Sequence, residues 1–452
     1  MTALAWARRL RLLPVRATLS EAPGAAVGQP SLPSHDIGCE VVQTIERLDD
    51  KIAECDRAAS DDELRRVFGT FRMQPPKDMP DDPFSSEYRD FQLDFYSRVA
   101  GKAYMVANEA TIFDVAAALR RPFPFSTGSS KTVADSMIST GFILRTMRLP
   151  AGSRVLELGS GWGTMTVALA MLGHSVTALD VEPRFCELMR RRAVHDELAV
   201  TIVNADFGWV EDTDQTFDAV LFTSSFHHAA DHLRLLTALH RVLVDDGRVF
   251  FGSEPIHADL AYPWGLRLDG QSLWSIRKHG WLELGFSERY FAEALRRTGW
   301  FASKHVATDP KWLTVWEAQK RCAAVLRFTA GDGRLATEVG RFEADAIVLD
   351  QVRSGIALFG PYVTLPADRY VARLAFRRGS PSFGQGLMDV VVDAGRRQLA
   401  AHPFRVDELS QDLRVVELPF ESSDELSLLE VRLFCEEGFS AVIDHVEIAL
   451  AG

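Results

Sequence analysis

The chain has 452 residues, 47% of them hydrophobic and 25% charged, the texture of a soluble globular protein of two or three domains. Its formal net charge of −12 argues against a phosphate-backbone partner, so no nucleic acid is expected. Five cysteines without a CxxC pair exclude a disulfide framework and a structural zinc site, and point to a reducing, cytoplasmic setting. No apolar run approaches the length needed to span a membrane.

Residues 1–38 are rich in Pro, Gly, Ala and Ser and read as a disordered leader. Arg8, Arg9, Arg11 and Arg16, with no acid in the first twenty residues, also give it a mild likeness to a transit segment. Residues 39–125 predict a helical region: Val42, Ile45, Leu48 and Ile52 recur at helical spacing, and a second helical stretch runs from Ser85 through Leu119. A further helix over Lys131–Met147 presents Val133, Met137, Phe142 and Ile143 on its apolar face. From Arg154 to Lys320 strands and helices alternate, the pattern of a parallel α/β sheet. Strands are expected at 154–158, 175–179, 200–203, 217–222 and 248–252, with two more near 301–307 and 312–318. Beyond Cys322 helical periodicity vanishes and short alternating segments predict an all-β sandwich over 322–452.

The chemistry centres on Val155-Leu-Glu-Leu-Gly-Ser-Gly-Trp-Gly163, where an apolar strand ends in glycines at alternate positions and a helix follows at once. Glycines allow the tight turn, and the helix aims its free N–H groups and positive dipole end back at the loop. The stretch matches neither GxGxxG nor a phosphate loop, and Glu157 beside it would repel a pyrophosphate but suit a cationic ligand.

These residues resemble the first motif of the class I S-adenosylmethionine-dependent methyltransferases, and the resemblance continues over residues 126–321. Asp180 stands where the family places an acid for the ribose hydroxyls, Asp206 where it reads the adenine amine, and Phe207 beside the adenine ring. Phe217-Asp-Ala-Val220 and Leu239–Gly247 are similar to the fourth strand and the approach to the fifth. The resemblance implies a Rossmann-like seven-stranded methyltransferase sheet, S-adenosylmethionine as cofactor, and a cofactor shell of Glu157, Gly159, Ser160, Gly161, Trp162, Gly163, Asp180, Asp206 and Phe207. Trp162 could pack over the methionine portion or simply shield the loop.

Thr223-Ser-Ser-Phe-His-His228 ends the fourth strand, so His227 and His228 are the candidate bases near the transferred methyl. His228 and His232 lack a third ligand at metal-like spacing, and no metal is expected. The segment after the fifth strand gathers Trp264, Trp274 and Trp281 with Arg267, residues suited to holding a sugar or planar polar acceptor. The expected function is therefore O-methylation of a sugar or glycan hydroxyl. Methylation of another small metabolite at O, N or C, or a glycan-binding scaffold without turnover, are the alternatives. The C-terminal segment resembles carbohydrate-binding-like sandwiches in Gly360–Pro366 and Ile443–Ile448. With no tryptophan and only Tyr362 and Tyr370 it offers little aromatic platform, which leaves a structural or homo-oligomerising role open.

Overall fold

The computed structural model describes residues 39–321, 325–409 and 414–451, so the leader lies outside the described residues. These residues fall into two compact units, one within Val27–Arg321 and one within Cys322–Gly452. Among the described residues no helix is long and apolar enough to cross a membrane, and Cys39, Cys55, Cys186 and Cys435 are unpaired.

The first unit is built on strands β1 (Arg154–Leu158), β2 (Ser175–Asp180), β3 (Val200–Asn204), β4 (Phe217–Thr223), β5 (Leu243–Gly252), β6 (Trp300–Val306) and β7 (Thr314–Lys320). Their order is β3-β2-β1-β4-β5-β7-β6. The pairs among β1 to β5 are parallel, while β7 runs antiparallel to both β5 and β6. Strand order reverses between β1 and β4, and the crevice outside the carboxyl ends of those strands is where open α/β sheets take ligands. The inner strands are apolar on both faces (Val155, Leu156, Leu158, Ala219 to Phe222, all buried), because helices cover both sides.

Helices α1 (Ile45–Asp56), α2 (Asp61–Phe68), α3 (Ser86–Ala100), α4 (Val115–Arg120) and α5 (Ser130–Met147) precede the sheet. Polar caps set their starts: Ser85 Oγ accepts from Tyr88 N at 3.1 Å and Ser129 Oγ from Thr132 N at 3.2 Å. Within the sheet unit lie α6 (Thr164–Met171), α7 (Pro183–His195), α8 (His232–Val242) and α9 (Glu288–Arg297). In α5 the expected apolar face is only partly buried, with Val133 and Phe142 half-buried. Ile143 is fully buried over Gly252, but Met137 is 62% exposed. The reason is geometric: Ser139 Oγ meets Ser253 Oγ at 2.6 Å, just past the end of β5, so the turns before it project beyond the sheet.

The segment between β5 and α9 joins the N-terminal helices in one layer. Tyr88 donates to Trp264 O at 2.8 Å, Trp264 Nε1 to Pro83 O at 2.7 Å, and Met73 N to Leu268 O at 2.9 Å. Arg277 clamps Asp49 through two bonds of 2.7 and 2.9 Å.

The second unit consists of two antiparallel sheets. Its strands are β8 (Val325–Phe328), β9 (Arg341–Glu343), β10 (Ala346–Val352), β11 (Gly355–Leu358), β12 (Pro361–Leu365), β13 (Arg369–Phe376), β14 (Gln385–Val392), β15 (Arg397–Arg405), β16 (Val415–Glu421), β17 (Leu426–Cys435) and β18 (Phe439–Leu450). One sheet runs β15-β14-β17-β12, with β11 also on β17. The other runs β9-β10-β18-β13-β16, with β8 also on β18. β16 alternates buried Val416, Leu418 and Phe420 with exposed neighbours, the mark of a sheet with one face inward.

Candidate active site

The glycine loop leaves β1 and enters α6 as the sequence pattern requires. Gly159 N and Ser160 N donate to Leu179 O at 2.9 and 3.0 Å, tying the loop to β2. Gly159 and Gly163 both have positive φ, 73° and 72°. A Cβ on Gly159 would stand 2.5 Å from Ser225 Cβ, and at Gly163, where the neighbouring Met189 tip can move aside, it is the left-handed φ that favours glycine. At Gly161 a Cβ would meet nothing within 4 Å, which leaves that part of the backbone open.

Two acids flank the loop. Asp180 is buried; its Oδ2 accepts from Gly161 N at 2.7 Å and its Oδ1 from Glu182 N at 2.9 Å. Burial nonetheless raises its carboxyl above the usual range. Glu157 is 2% exposed and accepts the Thr166 hydroxyl; burial pushes it up to about 8. Asp206 is exposed and turns Oδ1 to Gly208 N at 2.8 Å, while the Phe207 ring lies against Gly159 and edge-on to Phe222. The Trp162 ring sits in a cluster with Phe113, Phe185 and Phe123, at centroid distances of 4.8, 4.9 and 6.3 Å. Of the two roles expected for it, this packing favours shielding the loop.

Next to the loop the carboxyl ends of β4 and β5 carry a polar cluster. Ser225, which packs on Gly159, donates its hydroxyl to Leu158 O at 2.6 Å, and the chain then turns through Phe226–His228. Glu254, just past β5, accepts from Ser225 N, Phe226 N and His227 N at 2.7, 2.9 and 3.2 Å, and from His227 Nδ1 at 2.8 Å. Burial would raise the Glu254 carboxyl, but the His227 ring and these N–H groups outweigh it and hold it below the usual range. His227 Nε2 then faces Glu283 Oε2 at 3.5 Å. Burial opposes the Glu283 charge as well, yet His227, His228 and Arg267 bring it down to about 2. For His228, burial alone would lower the ring; Glu109, with Glu283 and Glu254, prevails and pushes it up to about 9.

The N-terminal region closes over this cluster. Glu109 Oε1 accepts from Leu282 N at 2.9 Å, and its Oε2 lies 3.2 Å from His228 Nδ1. Tyr104 donates to His228 O at 3.3 Å, and Thr111 N to Glu182 Oε2 at 2.9 Å.

The expected acceptor residues are placed differently from one another. Trp264 is 2% exposed, satisfied at Nε1 and packed on Tyr88 and His232, so it is a core side chain with no face for an acceptor. Arg267 is turned to Asp269 at 3.2 Å and Glu283 at 3.7 Å and backs the polar cluster. Trp274 and Trp281 are half-buried; Trp274 packs on Phe68, and Trp281 stacks on His279 at 4.6 Å. His232 bonds Tyr290 at 2.7 Å, and burial drops its ring to about 3. Neither Glu254 nor Glu109 stands out in the sequence as a site residue, and Glu283 does so only as one of the polar residues interleaved with the tryptophans. Glu254 had a usable signal, an acid two residues past a parallel strand; Glu109, at the end of the single 3-10 turn Val106–Glu109, had none.

Trp264→Ala should therefore act on stability. A loss of about 3–5 kcal/mol is expected for such a truncation, read as a lowered melting transition with S-adenosylmethionine affinity unchanged at a temperature where the variant is folded.

Residues 155–247 match a family model described as a methyltransferase domain. Over 109 residues the chain is 35% identical to demethylmenaquinone methyltransferase of Clavibacter sepedonicus, covering 24% of this chain and 44% of that protein. It is 29% identical over 104 residues to ubiquinone biosynthesis O-methyltransferase of Xanthomonas oryzae pv. oryzae (strain PXO99A), covering 23% and 44%. The chain thus spans less than half the length of these two curated relatives. A solved structure of Burkholderia thailandensis 1,6-didemethyltoxoflavin-N1-methyltransferase, with 1,6-didemethyltoxoflavin and S-adenosylhomocysteine bound, aligns at 22% identity. Its TM-score is 0.32, over 47% of this chain and 92% of that one.

Residues 155–247, from β1 and its glycine loop into β5, therefore match a methyltransferase domain. The resemblance of its motifs to the class I type points to S-adenosylmethionine as the cofactor. The residues present suit that molecule: open backbone at Gly161, acceptor lone pairs still free on Asp180, and a buried acid at Glu157 for a cationic ligand.

Glu157 makes the last point testable. Its raised carboxyl is protonated in the free protein at pH 7, and a positively charged ligand favours the ionised form. Binding should then release a proton below about pH 8, and affinity should rise with pH toward that value. Calorimetry at pH 7 in two buffers of different ionisation enthalpy would show it as a buffer-dependent heat that disappears in Glu157→Gln.

Proposed function

We propose that the chain transfers the methyl group of S-adenosylmethionine to a hydroxyl of a small acceptor carrying an apolar ring. The observation that carries this reading is the Glu254–His227 pair. It sits at the carboxyl ends of β5 and β4, two residues from the Ser225 that packs on the cofactor loop. S-adenosylmethionine supplies a methyl on a sulfonium, so the protein's tasks are to align an oxygen with it and to ionise that oxygen. Glu254 fixes the His227 ring through Nδ1 and leaves Nε2 to face the acceptor side of the cluster. Glu109 and Leu282 close the cluster over, which limits water.

The acceptor class rests on exposed apolar side chains in the segment that carries Glu109 and on α5. Met105 and Val106 precede Glu109, Ile112 follows it, and Met137 projects from α5 beyond β5; all four are exposed apolar side chains. They suit an apolar ring better than a sugar. The names of the curated relatives, demethylmenaquinone methyltransferase and ubiquinone biosynthesis O-methyltransferase, favour the same side. A sugar hydroxyl is the second reading, supported by the half-buried Trp274 and Trp281, whose Nε1 atoms have no hydrogen-bond partner. Incubation with methyl-labelled S-adenosylmethionine and two acceptor panels, hydroxylated aromatic rings and free sugars, decides between them. Label in the aromatic panel is expected. Label confined to sugars would reverse the assignment, and none in either panel would remove both.

A further inference from the structure

We propose that His227, His228 and Glu283 together bind a divalent transition-metal cation. One ligand atom from each lies within 4.8 Å of the others, a separation that small side-chain rotations close to coordination distance. His227 and Glu283 are buried, at 6% and 8% exposure, so the group is an enclosed set of donors and not a patch of solvated charge.

The hydrogen bonding around the three points the same way. His227 Nδ1 is held by Glu254 at 2.8 Å, the carboxylate–imidazole support that metal-bound histidines characteristically have. His227 Nε2 faces Glu283 Oε2 3.5 Å away, an axis that a proton on the ring bridges and that a bound cation can take over. His228 Nδ1 is buried and makes no hydrogen bond of good geometry, although Glu109 Oε2 lies 3.2 Å off. Glu283 is anchored behind, its backbone O accepting from Arg267 N at 2.8 Å and its carboxylate 3.7 Å from the guanidinium. Among the described residues, Glu109, Glu254 and Glu283 face Arg267 and the two imidazoles, and a bound cation would take the place of the protons on those rings. Two imidazoles and one carboxylate suit zinc or manganese among the common ions.

The role of the cation rests on the hydroxyl-methylation reading. Bound beside the acceptor, it would polarise the hydroxyl. With His227 Nε2 on the cation, the metal takes over from the ring the task of ionising the hydroxyl: the O–H proton goes to buffer, the O–CH3 bond forms, and the CH3–S bond breaks, leaving a neutral thioether. Cation binding itself does not depend on that reading.

The full-length protein, stripped by dialysis against a chelator, would be titrated calorimetrically with Zn(II) and with Mn(II), and separately with S-adenosylmethionine. One equivalent of at least one cation should bind, and affinity should fall by about 10²-fold or more in Glu283→Gln and in His228→Ala. S-adenosylmethionine affinity should be retained in both. No binding of either cation, or equal binding by wild type and both variants, overturns the site. Cation binding without methyl transfer to any acceptor would leave the site standing and remove the hydroxyl-methylation reading.

Discussion

Replacing Asp180 with alanine should weaken S-adenosylmethionine binding by about 10²-fold, the largest loss expected from any single cofactor contact. A buried carboxylate that accepts from two hydroxyls contributes about 1.5–3 kcal/mol per charge-assisted bond. The same side chain also accepts from Gly161 N and Glu182 N, so its removal loosens the loop and the start of α7 together. Asp180→Asn is the intermediate change. It keeps one acceptor oxygen for the backbone N–H groups and turns an NH2 to the other, so it should fall between alanine and wild type in both affinity and melting. Equilibrium titration and melting of the three proteins check both; an Asp180→Ala protein that binds like wild type would place the ribose elsewhere.

His227→Ala should lower kcat by about 10²–10⁴-fold with S-adenosylmethionine affinity within about twofold of wild type. The ring lies on the acceptor side of the cluster, whereas the loop is shaped by Gly159, Ser225 and Asp180. Glu254→Gln should give a smaller fall. A neutral amide can still hold the ring, but it supports an imidazolium or a bound cation less well than a carboxylate does. It can also disturb the turn, because Glu254 collects three backbone N–H groups there. Single-turnover kinetics with saturating cofactor gives the comparison. A His227→Ala enzyme of normal kcat would move the chemistry away from this cluster.

Much of the first unit was readable because its physics is local. Buried parallel strands are continuous apolar runs, each closed by a glycine turn or a capped helix, so Val155–Leu158 and its neighbours announce themselves. Acids at the ends of β1 and β2 stand out against those runs, which is why Glu157 and Asp180 could be singled out.

The signal fails where position depends on distant packing. Trp264 opens a strand of only three residues, Trp264–Leu266, too short for any periodicity to distinguish a buried ring from an offered one. Its environment comes from Pro83 and Tyr88, far back in the chain. Glu109 reaches the histidines only because the segment after α3 crosses the carboxyl end of the sheet. Met137 has the right spacing for a core face but lies on turns of α5 that run past the strand they would cover. In the second unit β15 went unseen: its residues are mostly exposed or half-buried and show no apolar alternation. Its place comes from pairing with the buried β14.

The central claim is that the glycine loop and its two acids hold S-adenosylmethionine in this chain. Its most direct test is calorimetric titration of the purified protein with S-adenosylmethionine and S-adenosylhomocysteine. Saturable binding of one equivalent of each, abolished or strongly weakened in Asp180→Ala, is the predicted result. A folded protein that binds neither would contradict the account.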